Sequence, residues 1–549
     1  MTRHPPGALQ EDRGRGTVWA LRDRRMGIRC LRMLIILMVG AWPSWVMPPD
    51  PASAGQTVRV AVAAGPVSQD PHVQLSAEML QYAHLVFDPL VRWTADMRFE
   101  PRLAVRWERV SPTALRFHLR RDVRFHSGNA FSAEDVKWTL DRLRESEDYA
   151  GLFEPLASAR IIDEHTIDLT TEKPYALVLN MAAFIFPMDP GFYWGVDGKG
   201  RYRDAIAKVG PSFALSHASG TGRYRVTTWN PGAGAIFEAV PDYWDKASPG
   251  NVDKVVLTPI RSDAARVDAL LSGKADLIMP VSGDDFERID ADERCRRVTV
   301  TGTRLITLQL NQKRREAFRD PRVRQAMVWA VDNAGIVEKI MKGAATPAGQ
   351  QGPKGFLGHQ PNLVPRFDLD KARSLMKAAG YADGFACTMI APSDRYVNDA
   401  EVAEAVTAML AKINLTVDLE TMPKIHYWDR FDARAADIQM IGWRPETEDS
   451  ANYTEALLMC PDSTAGHGRY NSGNYCNTKV DELILAARME TVNARRRAML
   501  REVEQLLYDD AAFIPLYWQN ISWAGKKDLG IEAAVSRQGV IYLGDLVVR

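Results

Sequence analysis

The chain has 549 residues, of which 46% are hydrophobic and 25% charged, a composition typical of a globular protein with several domains and not of a disordered or collagen-like chain. Its 69 Lys and Arg residues balance 69 Asp and Glu residues, so it lacks the cationic surplus of a protein that binds nucleic acid through a basic face. Five cysteines are too few for a disulfide-based miniprotein.

The first 54 residues have the pattern of a secretory signal. Arginines between Arg13 and Arg32 precede an apolar run at 33–42, which is followed by prolines and by small residues ending at Ala54. We expect cleavage after Ala54 and a mature protein outside the cytoplasm. The prolines leave the apolar run well short of the ~20 residues that a membrane anchor requires.

Two details of this segment bear on processing. Met26 would begin a shorter and more usual signal, so translation can start at Met1 or at Met26. Cys30 precedes the apolar run, which is the wrong place for a lipid-modified cysteine, so we do not expect a lipoprotein.

Export also changes the role expected of the cysteines. Cys295, Cys387, Cys460 and Cys476 remain after cleavage, an even number in a compartment where disulfides persist. Cys460 and Cys476 enclose a stretch rich in Gly, Ser and Asn, which is typical of a loop, and we predict a disulfide between them. Cys295 and Cys387 are then left as a second pair, although nothing local supports a bridge between them.

The mature chain begins with alternating strand and helix patterns. Strands are predicted at 58–62, 115–119, 166–171, 224–229, 235–240 and 254–260. Between the second and third, Ser132 is followed by Asp135 and then by apolar residues at helical spacing, which predicts a capped amphipathic helix.

The alternation continues after Gly302. A strand at 304–311 leads to Asp320-Pro321, a typical helix start with Pro at the first helical position. A capped helix at 367–381, strands at 388–392, 416–422 and 438–443, and a helix at 400–413 follow. The pattern predicts an α/β protein with more than one lobe.

Sequence signatures of catalysis and cofactor binding are missing. The chain has no phosphate-binding GxxxxGK[ST], no GxSxG, no HExxH and no CxxC. The nearest histidines, His118 and His126, are separated by a strand and a turn, so we interpret them as structural and expect no metal, no cofactor and no catalytic residue. Arg495, Arg496 and Arg497 are interpreted as a solvated helix face.

Several long segments resemble one family. They are 104–143 (AVRWERVSPTALRFHLRRDVRFHSGNAFSAEDVKWTLDRL), 220–232, 243–246, 320–332, 367–381 and 514–531. Together they resemble the large extracytoplasmic solute-binding proteins of ABC importers, family 5, which include dipeptide- and oligopeptide-binding proteins. The landmarks cover nearly the whole mature chain, from about residue 58 to residue 531.

The resemblance implies a two-lobed fold of the periplasmic-binding-protein type, type II, with an additional small domain and a ligand cleft between the lobes. The first lobe would comprise 55–87, 211–302 and 526–549. The additional domain would comprise 88–210, and the second lobe 303–525. The segments 304–311 and 515–523 would cross between the lobes.

The resemblance also implies a function without chemistry. We expect a monomeric periplasmic substrate-binding protein that captures di- or oligopeptides and delivers them to the permease subunits of an ABC transporter. A different solute, such as a nickel chelate, an opine or a sugar, is an alternative within the family. A secreted hydrolase is the alternative from another class.

Acidic site residues are expected after the strand at 438–443. Gly442-Trp443 matches the family motif that precedes the acidic residue pairing with a peptide's α-amino group, and by spacing that residue is Glu446. The family usually has Asp there, and Asp449 is close, so either carboxylate is a candidate. A plain acidic turn is the alternative.

Other ligand contacts are also carried over from the resemblance. Arg395 and Tyr396 stand where peptide binders often contact the substrate's backbone or carboxylate. Aromatic residues suit a pocket that accepts varied side chains, and the candidates are Trp443, Tyr427, Trp428 and Trp523. The turn containing Pro66, Val67 and Ser68 would offer backbone groups to an extended peptide.

Overall fold

The computed structural model describes residues 55–208 and 210–549, so the expected signal, its cleavage site and Cys30 lie outside the described residues. Residues 55–549 group into one compact unit. Within the described ranges, no helix combines the length and the apolar character needed to cross a membrane.

Strands β1 to β17 are, in chain order, Thr57–Val62, Val91–Trp93, Phe99–Pro101, Ala104–Ser111, Ala114–Leu119, Leu156–Asp163, Thr166–Thr171, Tyr224–Asn230, Gly234–Ala239, Lys254–Pro259, Leu277–Met279, Cys295–Leu310, Ala345–Pro347, Phe385–Pro392, Leu415–Met422, Ile438–Trp443 and Ile514–Lys526.

Helices α1 to α15 are, in chain order, Ala77–Val86, Ala133–Leu143, Ala150–Phe153, Val178–Ala182, Pro190–Tyr193, Asp263–Leu271, Phe286–Asp290, Pro321–Ala330, Asn333–Lys339, Leu369–Ala378, Asp399–Ala411, Lys424–Asp432, Ser450–Leu457, Thr478–Met489 and Asn493–Asp509.

Eleven strands form one large mixed sheet with the order β15-β14-β16-β12-β17-β11-β1-β10-β9-β8, and β13 pairs with β17 beside this path. β1 is parallel to β10 and β11, and β14 is parallel to β15 and β16. Helices connect these parallel strands, α6 between β10 and β11 and α11 between β14 and β15. This is the α/β arrangement predicted from the sequence.

The long antiparallel pair β12 and β17 lies between the two parallel groups. At one end β17 pairs with β11, and at the other end β12 pairs with β16 from Leu305 onward. The segments 304–311 and 515–523, expected to cross between lobes, overlap these two strands. The lobe boundaries stay a prediction.

A separate antiparallel sheet has the order β4-β5-β7-β6. Helix α2 packs against β6 and begins as predicted. The Ser132 hydroxyl accepts a hydrogen bond from the backbone, and the Asp135 carboxylate accepts one in return from the Ser132 N–H at 2.6 Å. This reciprocal cap satisfies backbone groups that have no partner within the helix.

Two other predicted helix starts, those of α8 and α10, are confirmed in the same way. The Asp320 side chain accepts a hydrogen bond from the Arg322 N–H at 2.8 Å, and Pro321 is the first residue of α8. The Asp368 side chain caps α10 by accepting from the Lys371 N–H at 2.9 Å. α8 and α11 bury their apolar residues against β12, β14 and β16 in one core cluster.

The predicted disulfide between Cys460 and Cys476 is present. The pairing of Cys295 with Cys387 is wrong, because both are unpaired and buried. β14, which carries Cys387, and β12, which carries Cys295, are separated in the sheet by β16. Two strand spacings of about 4.8 Å place their backbones farther apart than the ~7 Å a disulfide can bridge. Burial raises the pKa of the Cys387 thiol to about 12.

Candidate functional site

A cavity of about 400 Å³ opens where the β12–β17 pair passes between the two parallel groups. One wall comes from the ends of β1, β10 and β11 and from the first turn of α1. Gly302–Arg304 and Gln519–Trp523 form the middle, and Ala344, Val397 and Arg444 close the opposite side. Most of the wall is apolar, with a few polar groups, as in sites for small solutes.

A bulge in β12 shapes the middle of the cavity. Thr301 pairs with Asn520 and Leu305 pairs with Trp518, so four steps along β12 match two steps along β17. At Gly302 a Cβ atom would lie 2.5 Å from the Gln519 carbonyl oxygen, so only glycine allows this approach. The extra residues bring Thr303 and Arg304 to the cavity wall.

The cavity has a cationic end. β12 and β16 last pair at Leu305 with Trp443, and Arg304 and Arg444 each lie one residue beyond that pair, opposite one another. The Arg444 guanidinium donates to the Glu448 carboxylate at 3.1 Å. Within the described residues Arg304 has no ion-pair partner. Burial, with repulsion from Arg395 and Arg444, lowers the pKa of the Arg304 guanidinium.

Glu448 is held tightly beside this cationic end. Its side chain is 1% exposed and its backbone lies in the left-handed region, with a φ of 52°. A non-glycine residue in that region costs on the order of 1 kcal/mol. Burial raises the pKa of the Glu448 carboxyl, while Arg444 acts against the shift.

Acidic groups lie on the wall formed by the first group of strands. Glu78, in the first turn of α1, is exposed and has no ion-pair partner within 55–208 and 210–549. Asp263, at the start of α6, pairs with Arg266 at 2.6 Å. The cavity therefore carries both signs of charge on different elements.

Of the ligand-binding residues predicted from the sequence, Pro66 and Trp523 lie on the cavity wall. Trp523 is 1% exposed, so it supplies apolar area from β17. Val67 is exposed just beyond the wall, and Ser68 is buried with its hydroxyl accepting from the Asp70 N–H at 3.0 Å.

The other predicted aromatic residues lie in β16 or around it and are not part of this wall. The Tyr396 hydroxyl accepts from the Gly442 N–H at 2.8 Å, and the buried Tyr427 hydroxyl donates to the Met440 carbonyl. Trp443 donates to the Asn452 side chain at 2.9 Å. Trp428 packs edge-on against Tyr427.

The predicted charged residues are also placed outside the wall. Glu446 and Arg395 are exposed. Asp449 is buried, accepts two hydrogen bonds of 2.7 Å from Arg496, and caps α13 through the Ala451 N–H at 3.0 Å. Both oxygens of Asp449 are therefore used within the fold.

The interpretation of Arg495, Arg496 and Arg497 as one solvated face is wrong for its middle member. Arg496 is 3% exposed and holds Asp449, whereas Arg497 is exposed. On a helix, neighbouring residues point in directions about 100° apart, so the middle of three can face the core.

Glu78, Arg304 and Arg444 were not predicted as site residues from the sequence. Arg304 lies inside β12 at the bulge, and Arg444 directly follows β16. A charged residue within or just after a largely buried strand is a usable signal for a site, but only the pairing of β12 with β16 shows that these two come near each other. Among the described residues, no group of three or more His, Cys, Asp or Glu side chains could hold a metal ion.

Comparison with known proteins agrees with this architecture. The family description "Bacterial extracellular solute-binding proteins, family 5 Middle" matches residues 98–465. Glutathione-binding protein GsiB of Salmonella choleraesuis (strain SC-B67) is 24% identical over 503 residues, which cover 87% of this chain and 92% of that protein.

Solved structures share the fold. HbpA2 from Haemophilus parasuis superposes with a TM-score of 0.80 at 21% identity, covering 90% of this chain and 100% of that one. The ABC transporter-associated periplasmic binding protein DppA from Helicobacter pylori, in complex with the peptide STSA, gives a TM-score of 0.67 at 23% identity. The match covers 90% of this chain and 98% of that one.

Proposed function

The chain belongs to the bacterial extracellular solute-binding proteins, family 5, and we propose that it captures small peptides in the periplasm and delivers them to the permease of an ABC importer. The relatives support each part of this proposal. One is named a glutathione-binding protein, and another is an ABC transporter-associated periplasmic protein in complex with a peptide. Export through the expected signal at residues 1–54 would bring the protein to the matching compartment.

The cavity is the observation that carries the proposal. Its volume of about 400 Å³ falls in the range for small solutes. It carries Glu78 and Asp263 on one side and Arg304 and Arg444 on the other. A peptide with free ends has one positive and one negative terminus, so a wall with both signs suits it. The apolar remainder of the wall accepts side chains of varied shape.

Transport requires that solute binding change the protein's conformation. We propose that the two parallel groups of the large sheet belong to two lobes, with boundaries as predicted from the sequence, and that solute contacts both. Only a solute that binds the closed form more tightly than the open form shifts the population towards it. The permease would then recognise the closed monomer.

Binding without chemistry fits the cavity better than hydrolysis does. The cavity wall holds no Ser-His or Cys-His pair among the described residues. A hydrolase would turn over a peptide mixture, whereas a binding protein would return it unchanged. Another solute of the family, such as a nickel chelate, an opine or a sugar, is the alternative, and it would bind in place of peptides.

Calorimetric titration of the mature chain with glutathione and with the peptide Ser-Thr-Ser-Ala tests the proposal. We expect at least one of them to bind with a one-to-one stoichiometry. Ala64 lines the cavity and is exposed to it, so Ala64→Trp should fill the space and abolish binding without disturbing the core.

The matched control is Ala157→Trp, at an exposed position of β6 in the separate sheet, which should bind as the unchanged chain does. Failure of both peptides to bind would contradict the peptide assignment. Binding that survives Ala64→Trp would place the solute elsewhere.

A further inference from the structure

We propose that Arg304 and Arg444 form an anion site at one end of the cavity, which binds a carboxylate of the solute and makes a free carboxylate a requirement for tight binding. This inference rests on the proposed function and names the chemical group that the site selects. It assigns carboxylate recognition to the end of the β12–β16 ladder and not to the exposed Arg395.

The backbone geometry brings the two guanidinium groups together. Arg304 and Arg444 lie opposite each other just beyond the last pair of the β12–β16 ladder, and both line the cavity. The β12 bulge gives Arg304 this position, and Gly302 makes the bulge possible. Since the residues next to them, Leu305 and Trp443, are paired across the ladder, the two arginines start from neighbouring backbone positions and both can act on one ligand group.

The charges at this end are not balanced by the protein. Glu448 is the single carboxylate among the described residues that pairs with Arg444, and it leaves Arg304 without a partner. Arg395 adds a further positive charge near Arg304. Arg537, which donates to the Thr301 carbonyl at 2.9 Å, also lies close enough to Glu448 to feel its charge.

Such an arrangement is costly without an anion. Like charges held close together repel each other, and a charge removed from water needs a counter-charge. A guanidinium group stays protonated even when partly buried, so Arg304 cannot relieve the repulsion by losing its proton. A carboxylate between the two arginines would accept charge-assisted hydrogen bonds and balance the charge.

The wall around Arg304 offers no other partner for its charge. The Thr303 carbonyl is already used, since it accepts a hydrogen bond from the Tyr453 hydroxyl. One carboxylate oxygen of Glu448 accepts a hydrogen bond from Arg444, and the left-handed backbone conformation at Glu448 fixes the position of that side chain. The acidic residues Glu78 and Asp263 lie on the opposite wall. The vacant donors of Arg304 therefore face solute space.

The test compares acids with their amides. Glutathione and Ser-Thr-Ser-Ala are each titrated into the mature chain beside analogues in which every carboxylate is converted to an amide. We expect the amides to bind at least about tenfold more weakly than the acids. In Arg304→Gln, the affinity for the acid should fall at least about tenfold, to the level of the amide, while the affinity for the amide stays unchanged.

Two further variants keep the test specific. Arg121→Gln removes an exposed arginine that does not line the cavity and should change neither affinity. Arg304→Lys keeps a positive charge but loses the planar guanidinium group, which can donate two parallel hydrogen bonds to a carboxylate. It should therefore retain part of the preference for the acid. If Arg304→Gln does not fold, Arg304→Lys decides, and an acid-to-amide affinity ratio equal to that of the unchanged chain would overturn the assignment to Arg304.

The outcomes separate this inference from the proposed function. If an acid binds and its amide binds equally tightly, the anion site is disproved while peptide binding stands. If Arg304→Gln weakens acid and amide alike, Arg304 has only a structural role and the inference fails. If neither acid binds, the proposed function and this inference fail together.

Discussion

Arg304, Arg444 and Arg496 carry the same charge but differ in how it is balanced. Arg496 is buried and satisfied by both oxygens of Asp449, and Arg444 shares Glu448. Arg304 has no carboxylate partner within the described residues and faces the cavity. A buried paired arginine supports the fold, whereas an unpaired one at a cavity wall has donors available for a ligand.

The Arg496–Asp449 pair yields a prediction for stability. Both side chains are at most 5% exposed, so removing one leaves a buried charge without a partner. We expect Arg496→Gln to lower the free energy of unfolding by about 3–5 kcal/mol, measured by urea denaturation of the mature chain.

The neighbouring Arg497→Gln is the matched control, since Arg497 is exposed, and it should change stability by less than about 0.5 kcal/mol. Equal effects of the two substitutions would show that the buried pair does not stabilise the fold.

Among the helices and strands, the sequence predicted correctly those features that depend on a few neighbouring residues. The Ser132–Asp135 cap, the Pro321 helix start and the alternating β5 all form within a few residues of the signals that predict them. β12 was predicted only from Arg304 onward, but it begins at Cys295. Gly302 interrupts the strand pattern, and the bulge that continues the strand depends on β17, which is more than 200 residues away.

Helix α15 supplies a second prediction, which concerns pH. The Glu504 carboxyl is 2% exposed and accepts the Gln351 and Gly352 N–H groups, each at 3.1 Å. The same segment is linked to β17, because the Gln351 carbonyl accepts from the Trp518 indole at 2.8 Å. Burial raises the pKa of Glu504 from its usual 4.5 to about 7.

The sign of the effect follows from proton linkage. Between pH 4.5 and pH 7 the folded chain holds this proton and the unfolded chain releases it, so the contribution of Glu504 to stability is lost as the pH rises through that window. The free energy of unfolding of Glu504→Gln, minus that of the unchanged chain, should therefore increase by about 3 kcal/mol from pH 4.5 to pH 7.5.

Urea denaturation at several pH values checks this expectation. Glu502→Gln, at an exposed position of the same helix, is the control and should show no such trend. A stability difference for Glu504→Gln that stays constant with pH would contradict the account.

At the scale of the whole molecule, the site is a product of topology. The cavity collects residues from β1, α1, the β12 bulge, β17 and the end of β16, which are far apart in the chain. The family resemblance predicted the fold, and two of the ligand contacts predicted from the sequence, Pro66 and Trp523, line the cavity. It could not predict that Arg304 meets Arg444, because that depends on where the β12–β16 ladder ends. The distant partner Arg496 likewise explains why the acidic residue Asp449 is part of the fold.

Native mass spectrometry of the mature protein, purified from cells grown in rich medium, shows whether the cavity holds a peptide. We expect a population carrying one bound solute, which fragmentation identifies as a small peptide with a free carboxylate, and which is absent from Ala64→Trp prepared in the same way. A protein that carries a solute other than a peptide, or that carries none and takes up none from a peptide mixture, would contradict this expectation.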